Sequence, residues 1–220
     1  MSMPMASGSR SGYSIILFMP WLLMGICCLS AQAAAASPKT KNALSFHFAG
    51  VSERELEVAE ELSELLDKHN LSSWLFTDKI RFKSGVIPHS HPVLTLNTRH
   101  LGEPVRLLTT FLHEQIHWLV ADPNNRESKE AALVALRQIY PEVPDARNGG
   151  AADAESTYLH FIVNWLEFDA LNCLLGKEKA QDVIESIDFY EWIYAQVLEN
   201  GAQLESIISR NDLRISHKCR

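Results

Sequence analysis

Residues 158–175 read YLHFIVNWLEFDALNCLL, a stretch that is apolar on nearly every side of a helix. A helix without a polar face cannot lie on a surface, so this one is expected to be buried. Its exceptions are informative. His160, Asn164 and Glu167 fall at i, i+4 and i+7, which makes one narrow polar stripe, whereas Asp169 points the opposite way and Glu155 lies off the stripe. Burying three polar groups without partners is costly, so they either face a polar cleft or satisfy one another.

Outward from this segment the helical pattern dominates. Pro104 to Val120 has apolar residues at helical spacing with Pro104 at a first-turn position, and Asp122-Pro123-Asn124 closes it. Val51 to His69 reads as a surface helix with Ser52 as its cap. Further helices are predicted at Ser128–Tyr140, Lys179–Ser186 and Tyr190–Ser209, with Ser156–Leu175 around the opening segment. Trp74–Phe82 and Pro92–Thr98 are short, β-rich and bounded by turn residues, so they read as strands. Pro141–Asp153 (PEVPDARNGGAAD) is the longest break in the second half and is expected to border a site. The fold class is therefore α+β, mainly helical: one compact domain over residues 34–220 with a small N-terminal sheet.

The first 33 residues differ from the rest. Arg10 precedes an apolar run from Tyr13 to Leu29, and Ala31-Gln32-Ala33 follows with the small-x-small pattern of a cleavage site, so residues 1–33 read as a secretory signal peptide. The expected location is periplasmic or secreted, in a bacterium; the alternative, given the length of the apolar run, is an uncleaved N-terminal anchor, and the leader is then the only contact with a membrane. Without the leader the 220-residue chain keeps 19 bases against 27 acids, which disfavours binding to a nucleic-acid phosphate backbone. Cys173 and Cys219 remain as an even pair in an oxidising compartment, where a disulfide between them and two unpaired thiols are both open.

The chemistry sits on the Pro104 helix. It contains His113-Glu114-Gln115-Ile116-His117, and two histidines four apart lie about 40° apart around a helix axis, so both imidazoles can reach one metal ion. Glu114 projects about 100° from His113, beside the metal but off it, where a carboxylate can take a proton from an activated water.

The segment LLTTFLHEQIHWLV resembles the active-site helix of zincin metallopeptidases. The resemblance implies that His113 and His117 bind Zn2+, that Glu114 is the general base, and that the preceding strand, here Val93 to Thr98, pairs with an extended substrate. It covers that helix and, loosely, the strand before it. A catalytic zinc usually has a third protein ligand. The metzincin continuation is missing, since WLVADPN follows His117 without glycine or a further histidine. A gluzincin-like arrangement brings the third ligand from a later helix, which directs attention to the polar stripe. His160, with Asn164 four residues on to orient it, ranks first; Glu167 matches the family's usual ligand type but is followed four residues later by Leu171. About 10.5 Å of helix rise separates the two, too far for one zinc to take both.

His89 and His91 in PHSHP lie two apart and can face a substrate cleft, the alternative being a solvated turn. Tyr158 and Tyr194 are candidates for transition-state hydrogen bonds. The expected function is that of an exported zinc-dependent hydrolase acting on a peptide or protein substrate through metal-activated water. Two rivals stand beside it: a non-catalytic metal-binding or interaction domain, and a zinc hydrolase of non-peptide amides.

Overall fold

The computed structural model describes residues 44–50 and 52–217, so the leader and Cys219 lie outside the described residues. The described part is mostly helical, with three short parallel strands in the order β1-β2-β3: β1 (Ser45–Phe48), β2 (Lys79–Phe82) and β3 (Leu94–Leu96). No described helix is long and apolar enough to cross a membrane.

β1 leads into α1 (Glu53–Lys68), whose N-terminus is capped by Ser52, its hydroxyl accepting from the Glu55 amide. Val58, Leu62 and Leu65 form the buried stripe of α1. β2 pairs on both sides, Ile80 opposite Phe46 and Leu94, and Phe82 opposite Phe48 and Leu96. The sheet differs from the sequence reading in two ways. Its outer strand β1 was not foreseen, and only the last four residues of Trp74–Phe82 are a strand, because Ser72–Trp74 turns as a 3-10 helix that buries the Trp74 ring.

The remaining helices are α2 (Pro104–Ala121), α3 (Arg126–Ile139), α4 (Ala154–Leu175), α5 (Lys177–Glu185), α6 (Glu191–Glu199) and α7 (Gly201–Arg210). The opening segment lies within α4, which is capped by Asp153 and ends at Gly176, whose φ of 86° favours glycine. Helices α2, α3, α5, α6 and α7 all pack on it, which is the surrounding that an all-round apolar helix needs. Asp169, off the stripe, pairs instead with His217 at 2.7 Å, and Glu155 pairs with Arg137 at the surface. Cys173 is disulfide-bonded, and Cys219, its expected partner, falls outside the described residues. The single helix foreseen over Tyr190–Ser209 is two, divided at Asn200, whose side-chain amide donates to Gln196 while Gly201 opens the next helix.

Helix α2 is fixed against the sheet side by the middle of its own motif. Gln115 points away from His113 and is fully buried; its Oε1 accepts from the amides of Phe76 and Thr77 at 2.8 and 2.9 Å, and its Nε2 donates to the Thr77 carbonyl at 3.0 Å. An apolar residue there would leave three backbone groups unpaired.

Candidate metal centre

Helices α2 and α4 run past one another in opposite directions, so that His113 meets Glu167 while His117 meets His160. One ring nitrogen from each of His113, His117 and His160 lies within 4.8 Å of the other two, close enough together to hold a metal ion. The Nε2 atoms of His113 and His117 are 3.2 Å apart. For comparison, tetrahedral zinc with nitrogen ligands at about 2.1 Å separates them by about 3.4 Å.

The outer nitrogens explain the orientation. His113 Nδ1 donates to Glu167 Oε2 at 2.8 Å, and Glu167 in turn accepts from the Tyr194 hydroxyl at 3.0 Å. His160 Nδ1 donates to the Ser156 carbonyl at 2.7 Å, one turn back on its own helix. Both rings are thereby set with the Nε2 lone pair turned to the cluster. Two lone pairs 3.2 Å apart in a buried site repel unless a proton or a cation lies between them. The donor set fits zinc: three imidazoles, two with their second nitrogen held by an acceptor.

Protonation follows burial. Burial and the neighbouring His113 and His160 pull His117 down to about 2; burial and His113 bring His160 down to about 4. Both are neutral near pH 7, the form that ligates metal. Burial lowers His113 too, but Glu167, by charge and hydrogen bond, and then Glu114 outweigh it and raise that ring.

His113, Glu114 and Glu167 line a cleft of about 600 Å³. Glu114 is largely buried in its wall, and burial raises its carboxyl above the usual range against the opposing pull of His113 and His89. The Pro141–Asp153 loop does border this site, through Ala146, Arg147 and the run Gly149–Ala152. Thr157 ties the loop down, accepting from the Ala151 amide at 2.8 Å and donating to the Pro144 carbonyl at 3.1 Å.

Not every expected role is filled by the expected residue. Asn164 does not orient His160; it is fully buried with neither side-chain polar atom hydrogen-bonded, and the Ser156 carbonyl does that work. Tyr158 points away and donates to the Tyr140 carbonyl at 2.6 Å, and Tyr194 stands behind Glu167. His89 and His91 do not join the cluster. His89 pairs with Thr95 as an antiparallel bridge, which takes up the outer edge of β3 that the zincin resemblance assigns to substrate, and His91 stacks on Trp118 of α2 at 4.4 Å.

One residue was missed. Tyr190 lines the cleft, with its ring 4.3 Å from that of His160 and 5.8 Å from that of His113. It sits at φ 59°, a left-handed conformation rare outside glycine. Burial, with Glu114 and Glu167 adding to it, pushes its hydroxyl up to about 12, so it stays a donor at neutral pH. Nothing in the sequence marks Tyr190 over its neighbours, because its position depends on where α6 docks.

No protein-family model matches the chain, and no curated protein or solved structure matches it.

Proposed function

We propose that the chain is an exported zinc-dependent metallopeptidase of zincin type, delivered by its 33-residue leader. The observation that carries the reading is the position of Glu114, an ionisable carboxylate in the wall of an open cleft, next in sequence to one of three clustered histidines. A purely structural zinc site is closed and has no use for such a group. His113, His117 and His160 would hold the ion, with Glu167 and the Ser156 carbonyl fixing two of the rings.

Zinc held there would supply the electrophile that polarises the scissile carbonyl and acidifies the attacking water. Glu114 accepts the proton of that water and passes it to the departing amide nitrogen, and its raised pKa brings its basicity nearer to neutral pH. The Tyr190 phenol, un-ionised and lining the cleft, donates to the oxygen on which negative charge develops. Tyr194 keeps Glu167 in place and takes no part in the cleavage itself.

The test is metal analysis of the mature chain followed by digestion of a mixed peptide pool, with Glu114→Gln as control. About one zinc per chain and cleavage reduced roughly 10² to 10⁴-fold in the variant are expected. Zinc well below one per chain, or equal turnover by both proteins, overturns the proposal.

A further inference from the structure

Ile87 is 80% exposed, an unusual place for an isoleucine, and Phe189 is 39% exposed; both line the cleft that holds Glu114. The exposure of Ile87 does not come from a loose loop. Around Ile87, the Ser84 amide donates to the buried Glu55 carboxylate at 2.8 Å, and the Asn97 side chain donates to the Val86 carbonyl at 2.7 Å. His89 Nδ1 donates to the carbonyl of Ile87 itself at 2.9 Å, and the Trp118 indole holds the Ser90 carbonyl at 2.9 Å. On the same lining, Arg99 lies 6.0 Å above the Phe189 ring and Tyr190 meets its edge at 5.4 Å. Two apolar side chains exposed on the lining of one cleft gain their burial from whatever enters it.

We infer that Ile87 and Phe189 grip an apolar side chain of the substrate beside the scissile bond, so that the enzyme selects polypeptides with a bulky aliphatic or aromatic residue there. The inference rests on the peptidase reading of the site. A cationic or acidic residue at that position would give up its hydration against two hydrocarbon surfaces and gain no partner from them. A long acyl chain would satisfy the same surfaces, but the cleft also presents the carboxylates of Asp188 and Glu191 and the guanidinium of Arg147, groups that suit the amides of a peptide backbone.

The experiment measures binding, independent of turnover. Zinc-loaded Glu114→Gln is titrated calorimetrically with the blocked peptides acetyl-Gly-Gly-X-Gly-Gly-amide, X being Leu, Phe, Ala, Asp or Lys, and with N-lauroyl-glycinamide. Repeats follow in the added presence of Ile87→Ser or Phe189→Ser; both residues are exposed, and thermal melts verify the fold. The Leu and Phe peptides are expected to bind about tenfold or more tighter than the Ala peptide, with the preference falling to near unity in the serine variants. Binding of all five peptides alike, or a preference that survives both substitutions, overturns the grip and leaves the peptidase reading standing. Tight binding of the lauroyl amide with none of any peptide overturns both, in favour of an acyl-amide hydrolase.

Discussion

His113 Nδ1 lies 2.8 Å from Glu167 Oε2, across the gap between two helices that run in opposite directions. That bond decides which nitrogen of His113 faces the other two histidines. It also places Glu167 behind the ring, where it would tune His113 as a ligand in the proposed zinc site.

The two stripe residues should therefore respond differently to substitution. Glu167→Gln is expected to weaken zinc about 10 to 100-fold, while His160→Ala loses the ion outright under a chelator challenge that the unaltered protein survives. Competition with a fluorescent chelator separates them. The reverse order would make Glu167 the ligand and His160 its support.

Tyr190→Phe removes one hydroxyl and keeps the ring against His160. The expected loss in kcat is about 10² to 10³-fold, that of a single oxyanion donor, with zinc content unchanged. A change confined to KM would assign Tyr190 to substrate packing only.

Metal-stripped protein should lose stability as pH falls from about 6.5 towards 4. His160, at about 4, and His117, at about 2, sit below the ordinary histidine value, so in that window the unfolded chain binds protons that the folded chain does not. His113, raised, is protonated in both states below 6.5 and does not contribute there, whereas Glu114, raised by burial, opposes the two histidines as it nears protonation. Melting curves across that range check the sign, and a melting temperature that rises on acidification would contradict it.

Gly150→Ala is expected to destabilise the protein by about 2–4 kcal/mol and to disturb the cleft. A Cβ at that position would lie 2.0 Å from the Pro144 carbonyl oxygen and 3.0 Å from the Thr157 hydroxyl that ties the loop down. Chemical denaturation measures the cost. Gly176→Ala, where a Cβ meets nothing but φ is 86°, isolates the smaller backbone penalty.

What could be read from the sequence follows from the range of the forces involved. The spacing of His113 and His117 is a property of one helix, and the stripe on α4 stands out because everything around it is apolar. Both signals are local. The choice of Ser156, rather than Asn164, as the partner of His160 depends on a rotamer, and Tyr190 reaches the cluster only through the left-handed turn that starts α6. β1 is hard to read because its alternation, Ser-Phe-His-Phe, is only four residues long, and its pairing with β2 spans more than thirty residues of chain. Asn200-Gly201 is a break that the composition offers, but helical spacing on both sides masks it.

α4 supplies His160 and is covered by five other helices. A segment so enclosed belongs to the slowest-exchanging part of a protein, whose amides open only when the whole chain does. Loosening of outer elements such as the Pro141–Asp153 loop therefore leaves His160 and the helix that carries it in place. Amide exchange in α4 should then report the unfolding of the whole chain, while the cleft-lining loop exchanges ahead of it.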